Sequence, residues 1–279
     1  MVQTLMSTAE PTNADIERVE AEGWTQWQMN TPAAFRAMHG IEVRRLGDGT
    51  CLMARANILA LNRAIDFGFR APLTESTLDQ IIDAYRQAGA RELDVQWAES
   101  CQPPEATTWL MARGFKVVSS WSKFSRVFEG QLPEMPRDAQ LRVEEIGADC
   151  AEVFEQIVAP PLNVPDGMGV GIRSTIGLPG WRYYLVYDGN RPIAGACSFR
   201  LGDGAWFAGA ATIEGDRKRG AHTALFLRRL ADAAADGCRW ATTETLPETP
   251  DRPNPSYRNM CRLGFVKRYD RQHWVLKLG

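Results

Sequence analysis

A chain of 279 residues, 44 % hydrophobic and 24 % charged, has ordinary globular composition and is long enough for two cores. Its formal charge of -2 excludes bulk attraction to nucleic acid or an anionic membrane, so any anion site must be local. Residues 1–23 hold no apolar core of signal-peptide length, and no run is long enough to span a bilayer, which predicts a cytoplasmic protein.

In chain order, "STLDQIIDAYRQAGARELDVQWAES" and "TTWLMARGFKVVSSWSKFSRVF" predict helix, Gly89, strand, helix, Gly114-Phe115, strand. The segment Glu129–Gln140 is polar, carries two prolines and lacks periodicity. It divides the chain into a first domain (1–130), a linker (131–140) and a second domain (141–279).

The second part opens with a strand, "LRVEEIG", and a helix, "ADCAEVFEQIVAP". A long glycine- and proline-rich loop follows, Pro160 to Gly180. Three strand-like runs come next, turning at Asp188-Gly189-Asn190 and Gly202-Asp203-Gly204, which predicts antiparallel hairpins. A helix from about Thr223 to Asp236 is closed by Gly237. The strand "CRWATTET" must lie parallel to its predecessor because a helix separates them. A short helix, "SYRNMCRLGF", ends at Gly264, and "VKRYDRQHWVLKL" is the last strand. Gly89 and Gly114 are 25 residues apart and Gly237 and Gly264 are 27 apart, the mark of an internal duplication.

The six cysteines form no CxxC pair and read as reduced packing residues. The histidines His39, His222 and His273 are too scattered for zinc, so no metal is expected.

The informative stretch is "TIEGDRKRGAHTALFLRRLADAAADG", Thr212 to Gly237. A helix begins with amides that lack intrahelical acceptors, and its dipole adds roughly half a positive charge there. A loop around Gly220 leading into such a helix can cradle a diphosphate, with Arg217, Lys218 and Arg219 adding charge. A glycine turn before a helix with a solvated basic cap would look the same.

Arg217-Lys218-Arg219-Gly220-Ala221-His222 resembles the (Gln/Arg)-x-x-Gly-x-(Gly/Ala) loop of the GNAT superfamily of acyl-CoA-dependent N-acyltransferases. "NPSYRNMCRLGF" resembles that family's late helix, and the element order over Leu141–Gly279 agrees. The first half resembles the fold more faintly. The resemblance implies a mixed α/β (α+β) fold of two tandem GNAT-like domains, each with a largely antiparallel sheet, one parallel strand pair and flanking helices. Seventeen residues before Gly89 stands Pro72, which has no N–H, and the basic run is missing. Thr74 or Ser76 can cap that helix conventionally. The first domain is therefore read as a degenerate copy that shapes the acceptor pocket or serves as an interface.

The resemblance further implies acetyl-CoA as donor and direct acyl transfer in a ternary complex to a small-molecule amine. A non-catalytic acyl-CoA-binding module is the alternative. Amides from Gly220 through Ala221, His222 and Thr223 would hold the diphosphate, with the His222 ring expected to point outward. Ala210, Ala211 and Thr212 would line the pantetheine arm, where a backbone N–H serves as oxyanion hole; small residues there suit tight sheet packing equally well. Asn254, Ser256 and Asn259 would contact the cofactor. Glu244 is the candidate base or amine anchor, or else an outward-facing strand residue, with Glu214 as alternative. The family's thiolate-protonating tyrosine is replaced by Met260, leaving Tyr257, one turn earlier, or water as the acid. The loop Pro160–Trp181 would meet the acceptor. Its single acid, Asp166, disfavours a polycation. Neither nucleic acid nor membrane is an expected partner, and the protein is expected to be a monomer or homodimer.

Overall fold

The computed structural model describes residues 10–130, 132–133, 141–165 and 167–279. The first helix, α1 (Asn13–Met29), starts at a reciprocal cap: Thr12 Oγ1 accepts from the Asp15 amide at 3.2 Å, and Asp15 Oδ2 accepts from the Thr12 amide at 2.9 Å. A short α2 (Ala33–His39) leads to β1 (Glu42–Leu46), β2 (Gly49–Met53) and β3 (Arg63–Ile65). Then come α3 (Glu75–Gln87), β4 (Glu92–Ala98), α4 (Ala106–Ala112) and β5 (Lys116–Val127), the order expected from the sequence. Gly89 and Gly114, just past the two helices, adopt φ of 73° and 89°, as helix-terminating glycines do.

The second half runs β6 (Leu141–Ile146), α5 (Ala151–Val158), α6 (Val170–Arg173), β7 (Trp181–Asp188), β8 (Arg191–Leu201), β9 (Gly204–Thr212), α7 (Ala221–Ala235), β10 (Trp240–Thr245), α8 (Pro255–Arg262) and β11 (Val266–Lys277). Residues 160–180, expected as plain loop, contain a 3-10 turn at Pro160–Leu162 as well as α6. The duplication is visible: β3 and β4 pair in parallel, as do β9 and β10, and helix, strand, helix and strand follow in the same order.

All eleven strands form one mixed sheet, ordered β1-β2-β3-β4-β11-β5-β10-β9-β8-β7-β6. Each half is completed by the other's last strand. β5 pairs with β10, β11 pairs with β4, and the two lie side by side antiparallel. The linker expected over 131–140 lies outside the described residues apart from Leu132 and Pro133.

The seam is held by buried charge. Arg271 on β11 donates to Glu17 Oε2 (2.6 Å) and Glu20 Oε1 (2.6 Å) on α1 and to Glu244 Oε2 (2.7 Å) on β10. Lys123 on β5 pairs with Glu20 and, at 3.1 Å, with Glu244. Glu17, Glu20, Lys123 and Arg271 have at most 1 % exposed surface, so each depends on its partners rather than on water.

Helix α1 also crosses to the second half and packs on β8 and β9. A Cβ at Gly23 would stand 2.5 Å from Trp206 Cε3, so the mid-helix glycine admits that indole despite a propensity cost of about 1 kcal/mol. Around it Trp27 meets Trp24 (4.9 Å), Trp206 (5.1 Å) and Trp181 (5.4 Å between ring centroids).

Candidate functional site

Two features of β9 open the sheet. β9 and β10 keep parallel register only from Trp240↔Gly204 to Thr242↔Trp206, after which the strands part. On its other side β9 bulges: Gly195 pairs with Ala211 and Cys197 with Ala208, leaving Gly209 and Ala210 opposite Ala196. Gly209 has φ +56°, the left-handed conformation that starts such a bulge. Thr243 Oγ1 donates to Phe207 O (3.0 Å) across the gap.

The slot communicates with a cavity of about 500 Å³ whose walls come from both halves. From the first half come Trp24, Trp27, Phe35 and Arg63; from the second come Ala210, His222, Phe226 and Glu244. The segment after α5 contributes Leu162, Met168 and Ile172; Asp166 lies outside the described residues. The indole nitrogens of Trp24 and Trp206, both on the wall, are buried without a hydrogen-bond partner.

At the start of α7 the chain makes a 3-10 turn (Glu214–Asp216), then Lys218 takes φ +66° and Gly220 φ +89°. Gly220 is the N-cap, and no side chain caps the helix. The amides of Ala221, His222 and Thr223 therefore have neither an intrahelical nor a side-chain acceptor. A Cβ at Gly220 would meet nothing within 4 Å; glycine is needed there for its φ, not to relieve crowding. The equivalent helix of the first half, α3, is closed by its own Thr74, whose Oγ1 accepts from Thr77 N at 3.0 Å. The start of α7 thus leaves its first amides open to an anion, whereas Thr74 already takes one of those of α3.

Several expected roles change. Arg219 clamps the loop, donating to Asp216 Oδ1 (2.9 Å) and Asp188 Oδ2 (2.7 Å). Arg191 grips the same Asp216 with two 2.7 Å bonds. Hydrogen bonds from Arg191 and then Arg219 draw the Asp216 carboxyl down to about 2. Arg217, Lys218 and Arg219 are all exposed, but Arg219 is tied to Asp216 and Asp188, which leaves Arg217 and Lys218 as the cations best placed to meet an anion. Glu214 is exposed in the 3-10 turn.

His222 turns inward, contrary to expectation. Its ring lines the cavity, stands edge-on to Phe226 (4.8 Å) and meets Asn259 Nδ2 at 3.0 Å through Nδ1. Asn259 Oδ1 accepts from Thr223 Oγ1 (3.0 Å), so its amide donates to Nδ1 and the imidazole proton sits on Nε2. Burial, then the charge of Arg229, lowers the His222 pKa to about 4. Asn259 thus ties α8 to α7 instead of facing a ligand. Asn254 is likewise occupied: its Oδ1 accepts from Ser256 N (3.0 Å) and Tyr257 N (3.2 Å) as the α8 cap, while Nδ2 donates to Leu246 O (2.6 Å). Ser256 does line the cavity.

Ala210 sits in the bulge on the cavity wall, whereas Ala211 and Thr212 pair with Gly195 and Ala194 of β8. Ala208 and Ala211 both belong to the packed core, and Ala208 also lines the cavity, so close sheet packing by itself accounts for Ala211. Tyr257 is not among the cavity-lining residues; its ring packs edge-on against Phe124 (4.8 Å), while Met260 lines the cavity. Glu244 lines the cavity and is bonded to Lys123 and Arg271. Burial raises its pKa, yet Lys123, Arg271, Arg63 and His273 together outweigh that and hold the carboxyl well below its ordinary value. A carboxylate held low in this way attracts an ammonium and is a weaker base.

Arg229, absent from the sequence-level candidates, is 1 % exposed and lines the cavity. His222, Phe226 and Arg229 are spaced four and three apart, one face of α7. A cation inside that otherwise apolar stripe was the available signal.

No protein-family model matches this sequence, and no curated protein does. Solved structures do. The chain is similar to a GCN5-related N-acetyltransferase from Kribbella flavida (18 % identity, 97 % of each chain, TM-score 0.66). It is also similar to one from Sphaerobacter thermophilus (11 % identity, 85 % of this chain and 76 % of that one, TM-score 0.59). A tandem GNAT protein from the clavulanic acid biosynthesis pathway matches at 13 % identity over 92 % of this chain and 95 % of that one, TM-score 0.57. The chain has the fold of the GCN5-related N-acetyltransferases, in tandem arrangement. Among the described residues no helix is long and apolar enough to cross a membrane.

Proposed function

We propose that the protein is an N-acetyltransferase moving an acetyl group from acetyl-CoA to the amine of a small molecule by direct attack in a ternary complex. One observation carries this reading: the split between β9 and β10, flanked by the Gly209–Ala210 bulge, joins an uncapped helix start to a large two-sided cavity. Amides 221–223 with Arg217 and Lys218 would hold the diphosphate of acetyl-CoA, which supplies an activated thioester. The acceptor would enter from the α1 side, under Trp24 and Trp27. Those indoles and Phe35 favour an aromatic or otherwise apolar amine over a polycation. Glu244 would accept a hydrogen bond from the free amine, which attacks the thioester carbonyl; the C–S bond breaks and the amine's proton passes, through water, to the departing CoA thiolate.

The lining by Met260, with Tyr257 turned to Phe124, favours a second reading, an acyl-CoA-binding module without turnover. Calorimetry with CoA and a thiol-release assay over an amine panel separate the two. Gly220→Glu is expected to weaken CoA binding by about ten-fold or more, because a carboxylate would face the diphosphate. The positive φ costs the variant about 1–2 kcal/mol of stability. Wild-type protein that fails to bind CoA at millimolar concentration would refute both readings.

A further inference from the structure

We propose that the cavity recognises a carboxylate, and that Arg229 is the residue that binds it. Arg229 Nη1 donates to Cys197 O (3.2 Å) and Nε to Leu225 O (3.1 Å), but the fully buried Nη2 has no partner. The guanidinium lies between the rings of Phe207 and Phe226, 4.8 and 4.7 Å from their centroids. It has no carboxylate ion-pair partner among the described residues. Burial brings its pKa down to about 10, so it remains a cation at neutral pH.

An uncompensated buried cation is costly, and the two wholly buried cations of the seam, Lys123 and Arg271, each have carboxylates beside them. Two carbonyls and two aromatic faces moderate that cost without neutralising the charge. The location gives the group a use. Cys197, whose carbonyl Arg229 holds, pairs with Ala208, next to the Gly209–Ala210 bulge. The Arg229 guanidinium therefore lies beside the slot where the donor's acyl end and the acceptor would meet. His222, with its proton on Nε2, is on the same helix face and offers a second donor. A guanidinium presents its N–H groups in one plane, the arrangement a carboxylate pairs with.

The carboxylate belongs either to the acyl group, as in a dicarboxylic acyl-CoA, or to the acceptor, as in an amino acid. The inference rests on the acyltransferase reading only for that choice. Three matched probe pairs test it on the full chain. The first is phenylacetate against phenylacetamide, by calorimetry without CoA. The second is succinyl-CoA against butyryl-CoA, by calorimetry. The third is phenylalanine against phenethylamine as acceptors with acetyl-CoA. The carboxylate member is expected to be favoured about ten-fold or more in the first pair and in one of the other two, from a charged hydrogen bond made inside the protein. Arg229→Gln should bring those ratios close to one, and Arg229→Lys should keep part of the preference. Ratios below five-fold in all three wild-type pairs overturn the proposal, as does a preference that survives Arg229→Gln unchanged. If neither variant folds, the wild-type ratios decide by the same five-fold limit. Failure to bind CoA would remove the acyltransferase reading and leave the first pair to decide this one.

Discussion

Lys123→Met tests whether the seam between the halves is held by buried ion pairs. The Lys123 ammonium is wholly buried and bonded to Glu20 and Glu244. Methionine is close to the same length, so the substitution removes the charge while leaving little void. Glu17, Glu20 and Glu244 would then share Arg271 as their bonded cation. Breaking one member out of a buried network costs about 3–5 kcal/mol, because the orphaned carboxylates stay out of water. At about 2.1 cal/mol/K of unfolding entropy per residue, a 279-residue chain has about 0.6 kcal/mol/K, and the midpoint should fall by about 5–9 °C. Urea denaturation and scanning calorimetry at pH 7 measure both quantities. Adding Glu20→Gln should return about 1 kcal/mol or more, since the pair is in direct contact. A Lys123→Met cost below about 1 kcal/mol would show that water already solvates the network, refuting the argument.

Tyr257→Phe should keep acetyl transfer within about two-fold, whereas loss of a true general acid would cost about a hundred-fold in kcat; such a loss would return the tyrosine to the mechanism. Glu244→Gln should weaken amine capture, seen as a raised KM, without removing any inflection from the pH–rate profile between pH 6 and 9. A vanished inflection would make Glu244 the base after all. For His222, the native pKa of about 4 lies below the ordinary 6.5 because of burial and Arg229. Protonation is thus disfavoured in the folded state, and the stabilisation is complete above pH 6.5 and lost as pH falls from there to about 4. In urea titrations His222→Gln should flatten that limb; identical slopes would contradict the burial argument.

Local chemistry made much of this protein readable from residues alone. Gly189 and Gly202 turn hairpins, Gly237 and Gly264 stop helices, and Gly220 opens α7, because each takes a positive φ that neighbouring sequence already demands. Pro72 and Thr74 likewise distinguished the first helix start from the second, as a missing N–H and a capping hydroxyl are properties of single residues. The exchange of β5 and β11 was not readable. Both are long strands of similar pattern, and their placement is chosen by Lys123 and Arg271 meeting acids from α1 and β10, more than a hundred residues away in sequence for most pairs. Nor could the sequence say that the Arg229 guanidinium comes to lie between Phe207 and Phe226, or that Gly23 receives Trp206. Those choices arise only when α1 of one half closes over the sheet of the other, where burial, not local propensity, sets what each side chain touches.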